Sequence, residues 1–237
     1  MSQPQKESLH QIFRDLHAER VKTMDPAVLK INIDQRRSLV DTADRSRFVK
    51  PGDVVAPFAL PEVDGRVLKL EELVKHGPAV LIFFRFEGCP ACNLALPYYH
   101  RNLYPGLVQQ GATLVAISPQ VPEKLVAIKR RHDLPFAVAS DLGNELARSF
   151  GILYTFDEAS KRAATANNRP IGEVTGTGTW ELPMPTAVVL DTHRVVRFAD
   201  VHPDWLVRTE ADEILAAVAS LAPIVRRTLD SNSARLT

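Results

Sequence analysis

The most informative stretch of the chain is VLIFFRFEGCPAC, residues 80–92. Its first five residues, 80–84, form a continuous apolar run, which is typical of a strand buried on both faces of a sheet. A helix is predicted over 91–110, because apolar residues recur near one face there. Cys89 and Cys92 therefore stand where a buried strand ends and a helix begins.

The pair Cys89 and Cys92 is the first candidate for chemistry. A thiolate at a helix N-terminus faces unpaired backbone N–H groups and the positive end of the helix dipole, which lower its pKa. The spacing brings the sulfurs within disulfide reach, and this spacing beside a β–α unit is typical of a redox motif. We therefore predict a reversible Cys89–Cys92 disulfide, with Cys89 as the more accessible sulfur.

Two other interpretations of the cysteines stay open. Free cysteine is often a small buried apolar residue with no chemistry. A structural zinc site would need four ligands, and the chain has no second close pair of Cys or His beside these two. No metal and no cofactor are therefore expected.

The composition narrows the class of protein. The chain has 237 residues, 45% of them hydrophobic and 24% charged, with a net charge of +1. These values are typical of a globular protein and give no support for a nucleic-acid binder. No apolar run is long enough to span a membrane, and no hydrophobic segment of a secretory signal stands at the N-terminus. We expect a cytoplasmic location.

Along the rest of the main region, predicted strands and helices alternate, which indicates an α/β fold with a mixed sheet. Strands are predicted at 58–60 and 67–70 as a hairpin and at 113–117, 136–139, 186–190 and 195–199; helices are predicted at 122–132, at 142–150 and after Thr209, which would cap the last one.

The domain organisation follows from shifts in this pattern. Residues 1–48 are predicted to form a helical arm of two helices, the second capped by Asp25. Residues 49–222 form the main domain, in which 157–181 are expected to be a structureless flap, and 223–237 form a polar tail. The arm is expected to pack on the main domain or on a second subunit, which would make a homodimer.

Several segments resemble proteins of the alkyl hydroperoxide reductase/thiol-specific antioxidant (AhpC/TSA) family, the peroxiredoxin-like branch in particular. Residues 83–93 resemble that family's active-site segment, 51–61 its opening stretch, and 202–208 a late segment. Pro97 matches the proline that kinks the active-site helix. The resemblance covers about 51–221. It implies a thioredoxin-like α/β fold, a mixed central sheet flanked by helices, with an N-terminal helical extension.

The resemblance also implies roles for single residues. The segment 184–186 is similar to the cis-proline loop of the thioredoxin fold, so Pro185 is expected to follow a cis bond and to face the cysteines. On the frame P-x-x-x-T-x-x-C, Cys92 takes the peroxidatic place, Cys89 replaces the threonine and Arg85 the proline. The family's later arginine falls at Pro185. Arg85 either supports the thiolate or is an exposed residue at a strand end.

The function implied by the resemblance is peroxide reduction by the Cys89/Cys92 pair, which cycles through a disulfide. A thioredoxin or glutathione system would reduce that disulfide. One alternative is a thioredoxin-like thiol–disulfide oxidoreductase, in which Cys89 attacks a protein disulfide and Cys92 resolves the mixed disulfide. Another is a non-enzymatic redox sensor. We expect Cys89 to attack disulfides, and Cys92 to attack peroxide.

Overall fold

The computed structural model describes residues 7–221. In chain order its elements are α1 (Leu9–Thr23), α2 (Pro26–Thr42), a short 3-10 helix (Arg45–Arg47), β1 (Ala59–Pro61), β2 (Val67–Lys69), α3 (Leu70–Leu73), β3 (Ala79–Phe83), α4 (Pro90–Asn102), α5 (Tyr104–Gln109), β4 (Thr113–Ser118), α6 (Pro122–Arg131), β5 (Ala137–Ser140), α7 (Glu145–Ser149), β6 (Leu153–Thr155), α8 (Glu158–Ala166), α9 (Ile171–Thr175), β7 (Glu181–Pro183), β8 (Thr186–Leu190), β9 (Val196–Val201) and α10 (Ala211–Ala219). Within 7–221, no helix is both long and apolar enough to cross a membrane.

A five-stranded mixed sheet forms the centre of the fold, in the order β5-β4-β3-β8-β9. Strands β3, β4 and β5 are parallel, whereas β8 and β9 are antiparallel to their neighbours. Every residue of β3 is buried, as the apolar run predicts. The predicted α/β order and the hairpin between β1 and β2 are confirmed. The cysteine segment follows β3 directly, so it lies at the carboxyl end of the central strand.

The long helix predicted over 91–110 is two helices. The first, α4, ends at Leu103, whose N–H still donates to the carbonyl of Tyr99 at 3.0 Å. The second, α5, begins at once with Pro105 in its first turn. Proline lacks an N–H to continue the preceding helix but suits the start of a new one, which explains the break.

The segment 157–181 is not the structureless flap that its composition indicates. Asp157 caps α8 by accepting from the N–H of Ser160 at 2.8 Å. The short helix α9 follows and ends at Gly176, whose φ of +81° suits glycine. Strand β7 then pairs with β6. Local capping outweighs the turn-forming residues at 167–170 and 176–178 here. The predicted division at 48 and 49 stays a prediction, and the predicted tail, 223–237, lies outside the described residues.

The N-terminal arm consists of two helices, as predicted. The Asp25 carboxylate accepts from the N–H groups of Ala27 and Val28, at 2.8 and 3.1 Å, and so caps α2. Leu9 and Phe13 of α1 are buried. Helix α1 packs against α4, and α2 packs against α8. The arm therefore contacts the domain of its own chain at α4, which carries the cysteines, and at α8.

Glu210 of the main domain hydrogen-bonds the first residues of the arm. Its carboxylate accepts from the Ser8 hydroxyl at 2.8 Å and from the N–H groups of Leu9 and His10 at 3.1 and 3.0 Å, so it caps α1 from a distant part of the chain. The predicted cap Thr209 is wrong, because its hydroxyl donates to Asp200 and Glu210 takes the capping position of α10 without a side-chain bond. Burial alone would raise the pKa of Glu210, but these hydrogen bonds lower it to about 2.

We expect Glu210→Gln to lower the free energy of unfolding by about 1 kcal/mol near neutral pH, because an uncharged amide caps α1 less well. The folded pKa lies below the unfolded one, about 4.3, so the carboxylate stabilises above that pH and its contribution is lost as pH falls towards 2. In urea unfolding series at different pH, the difference in unfolding free energy between wild type and variant should therefore shrink as the pH falls from about 4.3 towards 2. The control is Glu213→Gln, at an exposed position of α10. An equal loss of unfolding free energy in both variants would contradict the capping of α1 by Glu210.

Candidate active site

Cys89 and Cys92 lie at the start of α4, directly after β3. Cys89 occupies the capping position, Pro90 begins the helix, and Cys92 sits within its first turn. The Cys89 N–H donates to the carbonyl of Phe86 at 3.2 Å, which fixes the loop between strand and helix. Both thiols are free. The strand–helix junction predicted from the sequence is therefore present.

Neither sulfur is open to solvent. Cys89 is 1% exposed and Cys92 is 0% exposed, so the expectation that Cys89 is the accessible sulfur is wrong. The reason is that two arginine side chains, Arg85 and Arg208, hydrogen-bond the sulfurs and cover the helix N-terminus. Only small molecules could reach the pair without a rearrangement.

The two thiols have different acidities. The cysteines approach each other to 3.0 Å, and a hydrogen bond from Cys92 to Cys89 lowers the pKa of Cys89. The positive charges of Arg85 and Arg208 lower the Cys89 pKa further, against the opposing effect of burial. Burial and the bond to Cys89 together raise the pKa of Cys92. The pair can therefore hold one thiolate at Cys89, with Cys92 as its thiol donor.

Arg85 is a buried residue, 7% exposed, so the interpretation of it as a surface residue is wrong. Its guanidinium lies over the Trp205 ring at 4.7 Å from the centroid and over Phe86 and Phe156 at 5.5 and 5.8 Å. Its side chain also hydrogen-bonds Cys89. Ring faces attract cations, so this arrangement holds a positive charge beside the sulfur.

Arg208 is the residue that the sequence frame misses. Its Nη1 donates to the carbonyls of Trp205 and Val207 at 2.6 and 2.7 Å, which leaves Nη2 3.9 Å from the Cys92 Sγ. The frame places the later arginine at Pro185, whereas the arginine that contacts Cys92 comes from the segment after β9. The signal in the sequence was the similarity of residues 202–208 to a late family segment.

The expectation for Pro185 is wrong in its central feature, because no peptide bond in residues 7–221 is cis. Met184 and Pro185 connect β7 to β8. The Met184 N–H donates to the carbonyl of Ile152 at 2.7 Å, and the Pro185 carbonyl accepts from the N–H of His202 at 2.9 Å. A proline that continues a strand towards its neighbour suits the ordinary trans bond.

Tyr154 is a second residue that the sequence did not single out. Its ring stacks on Phe156, with the centroids 6.0 Å apart. Its hydroxyl is buried without a hydrogen-bond partner among the described residues. Burial raises its pKa to about 12, against the opposing effect of the Arg85 charge. The phenol therefore stays protonated in the surroundings of Arg85. Nothing in the local sequence marks it.

Side chains of α4 and α6 brace the loop that leads to the cysteines. The Asn93 amide donates to the carbonyls of Glu87 and Cys89 at 2.6 and 3.0 Å. Arg131 donates to Asn93 at 2.8 Å and pairs with the Glu87 carboxylate at 3.0 Å. Across residues 7–221, no cluster of three or more His, Cys, Asp or Glu side chains could hold a metal ion. The chemistry of the site rests on two thiols and two guanidiniums.

Comparison with known proteins shows which family shares this sequence and fold. The model of the AhpC/TSA family matches residues 51–199. Chloroplastic peroxiredoxin Q of Populus jackii is 30% identical over 104 residues, which cover 44% of this chain and 48% of that protein. The thiol-disulfide oxidoreductase ResA of Bacillus thuringiensis is 28% identical over 101 residues, 40% of this chain and 54% of that one. The chain thus spans about half the length of these curated relatives.

Solved structures show the same fold. Peroxidoxin BcpB from Mycobacterium tuberculosis superimposes with a TM-score of 0.57 at 23% identity, over 73% of this chain and 98% of that one. Peroxiredoxin Q of Xanthomonas campestris gives 0.54 at 17% identity, over 69% and 90%. The predicted thioredoxin-like α/β fold is confirmed.

Removing the charge of Arg85 should raise the pKa of Cys89. We expect Arg85→Met to raise it by about one pH unit or more, because a neighbouring cation favours the thiolate. Methionine keeps an apolar contact with the three rings. The ultraviolet absorbance of the thiolate, followed against pH in the reduced protein, measures the change. Arg130→Met, at an exposed position of α6, is the matched control. A titration of Arg85→Met that overlays that of wild type would contradict this assignment.

Proposed function

Because this chain belongs to the AhpC/TSA family, we propose that it reduces peroxides with Cys89 and Cys92. The observation that carries the proposal is the Cys89 thiol, whose pKa is lowered by the Cys92 hydrogen bond and the Arg85 charge. A thiolate is the nucleophilic form of cysteine. The similarity to peroxiredoxin Q supports peroxide as the oxidant.

The reaction follows from the arrangement of the two sulfurs. The Cys89 thiolate attacks the terminal oxygen of a hydroperoxide, the O–O bond breaks, and the departing alkoxide takes a proton to become an alcohol. Cys89 is then a sulfenic acid. The Cys92 thiol attacks the Cys89 sulfur, water leaves, and a disulfide forms. Two electrons and two protons from an external dithiol regenerate the thiols.

The electrostatics of the pair favour Cys89 as the attacking sulfur. The family frame puts the peroxidatic sulfur at Cys92, which is the expectation for peroxide given above. Here the pKa of Cys92 is raised by burial, and its proton is held by Cys89. A thiol in that state is a poor first nucleophile but a suitable resolving group, because it already contacts the other sulfur. We assign attack to Cys89 and resolution to Cys92.

Burial of both sulfurs supports a small substrate over a protein disulfide. A hydroperoxide is small enough to reach Cys89, whereas a protein disulfide is not, because Cys89 is 1% exposed. The similarity to ResA supports the alternative, a thiol–disulfide oxidoreductase. That activity would require the residues over the helix N-terminus to move aside. A redox sensor would use the same oxidation without turnover.

The disulfide must be reduced by a partner, for which a thioredoxin or glutathione system remains our proposal. Such a partner needs access to the first turn of α4, so oxidation should loosen the cover formed by Arg85 and Arg208. No step in this cycle uses a metal or an organic cofactor. Homodimer formation and a cytoplasmic location also stay proposals.

Single substitutions test the proposed roles. We expect Cys92→Ser to form a stable sulfenic acid at Cys89 after one equivalent of peroxide, because no resolving thiol remains. Cys89→Ser should lose peroxide consumption nearly completely. Wild type should form a disulfide and turn over with a thioredoxin system. Mass spectrometry after trapping with a sulfenic-acid reagent identifies the oxidised residue, and the rate of NADPH oxidation measures turnover.

Each alternative has its own result in the same assay. Sulfenic acid at Cys92 in Cys89→Ser, together with an unreactive Cys92→Ser, would reverse the assigned roles. Turnover with an oxidised model protein but not with peroxide would favour the disulfide oxidoreductase. Oxidation that occurs once, with no reduction by thioredoxin or glutathione, would favour the sensor.

A further inference from the structure

A cleft lies between the N-terminal arm and the segment that follows β6. It has a volume of about 450 Å³, enough for a small organic molecule, and is lined by residues of α2, α8 and α9 and by Arg85. Neither cysteine lines it, and its arm side lies outside the family match, which begins at residue 51. The cleft is therefore separate from the cysteine site. The two share Arg85, whose side chain also hydrogen-bonds Cys89.

Two buried donors that line this cleft have no partner within the described chain. Gln35 is 6% exposed; its Oε1 accepts from the Trp205 Nε1 at 3.1 Å, whereas its Nε2 is unpaired. The Nε of Arg85 is likewise buried and unpaired. An unsatisfied buried donor is costly. This wall of the cleft therefore suits a ligand that brings acceptor oxygens.

The charges of the cleft favour an anionic ligand. Arg169 lines it from the segment before α9, and its guanidinium has no hydrogen-bond or ion-pair partner within residues 7–221. Among the described residues that line the cleft, none is acidic. Two guanidiniums, those of Arg85 and Arg169, thus face a space without a carboxylate, and ionised acceptors make the stronger hydrogen bonds to such groups.

The charge of Arg85 has a counter-ion in only one redox state. In the reduced pair it lies against the Cys89 thiolate, and no carboxylate pairs with it within residues 7–221. When the disulfide forms, two electrons, the Cys92 proton and one solvent proton pass to the hydroperoxide, whose O–O bond breaks to give an alcohol and water. The site loses one negative charge, while the guanidinium stays charged. A buried cation without a counter-ion is costly.

We propose that this cleft binds a small monocarboxylate, and that it does so mainly after Cys89 and Cys92 have formed their disulfide. The carboxylate accepts from the Arg85 Nε and the Gln35 Nε2 and replaces the thiolate as the counter-ion of Arg85. It is an effector that distinguishes the two redox states and is not itself reduced. The proposal rests on the disulfide cycle of the proposed function, but not on peroxide as the oxidant.

The walls of the cleft favour a carboxylate over inorganic phosphate. They are largely apolar, with Val28 and Ile31 on the arm side and Phe156 and Ile171 on the other. A short hydrocarbon chain packs against such walls, whereas the further oxygens of a phosphate would meet them without hydrogen bonds. The two unpaired donors also match the two oxygens of one carboxylate.

Calorimetry on the full-length protein at neutral pH tests the proposal, with hexanoate as the ligand. The protein is titrated once reduced with dithiothreitol and once oxidised with diamide. We expect hexanoate to bind about tenfold more tightly to the oxidised protein, within the usual range of coupling between two sites. The uncharged hexanamide should show no such difference. By linkage, saturating hexanoate should lower the reduction potential of the pair by about 30 mV, the same tenfold for two electrons.

Single substitutions separate the charge of the thiolate from other effects of oxidation. Reduced Cys89→Ser lacks the thiolate and should bind hexanoate as tightly as the oxidised wild type. Reduced Cys92→Ser keeps the Cys89 sulfur and a hydroxyl donor beside it, and should bind as weakly as the reduced wild type. Arg169→Gln should weaken binding in both states, whereas Arg162→Gln, at an exposed position of α8 outside the cleft, should leave binding unchanged.

Equal affinity of hexanoate for the two redox states of the wild type would overturn the proposal. Equal affinity for hexanoate and hexanamide in the oxidised protein, or equal effects of Arg169→Gln and Arg162→Gln, would also overturn it. Inorganic phosphate that binds as tightly as hexanoate, with the same redox dependence, would overturn the choice of a carboxylate.

The effector site and the peroxidase function fail in different ways. Rapid reduction of peroxide by a protein whose affinity for hexanoate ignores its redox state would support the function and refute the site. Tighter binding of hexanoate after oxidation by diamide, in a protein that reduces no peroxide, would support the site and refute the function. A pair that forms no disulfide with diamide would refute both.

Discussion

The buried positive charge of Arg85 is the constraint on which the rest of the site depends. A charge in a protein interior is costly unless it is paired, and within the described chain no carboxylate pairs with this guanidinium. The structure surrounds it with the faces of Trp205, Phe86 and Phe156 and with the Cys89 sulfur. A thiolate at Cys89 balances the charge, so burial of Arg85 and ionisation of Cys89 stabilise each other.

The same constraint explains why the arm belongs to the active site. Three guanidiniums, those of Arg20, Arg36 and Arg85, lie over the Trp205 ring, and two of them come from the arm. Gln35 fixes the ring by accepting from its N–H. Phe13 of α1 lies under the Arg208 guanidinium, 5.5 Å away. The arm therefore builds one wall of the cysteine site, although the family match does not include it.

The features predicted correctly from the sequence are those that depend on local residue patterns. The strand before Cys89, the arm with its Asp25 cap and the cysteine pair at a helix start could all be read from apolar runs and capping residues. The split at Leu103 was missed, although Pro105 marks the start of a new helix. The order of the sheet needed the family resemblance.

What the sequence could not provide depends on contacts between distant segments. Glu210 caps a helix about two hundred residues away in the chain, and nothing in the local sequence marks it. Arg208 reaches Cys92 across 116 positions, and only the family resemblance of residues 202–208 points to it. Arg85 looked exposed because arginine usually is, and only the three rings around it explain its burial. The turn-forming residues at 167–170 and 176–178 concealed α8, since a single Asp157 cap starts that helix.

The most direct test of the account is the ionisation of each cysteine in the reduced protein. Labelling cysteine with carbon-13 at Cβ lets NMR follow both residues separately as the pH changes, with assignments from the single Cys→Ser variants. Cys89 should ionise well below the ordinary thiol range while Cys92 stays protonated through neutral pH. Ionisation of Cys92 before Cys89 would contradict the roles assigned to the two sulfurs.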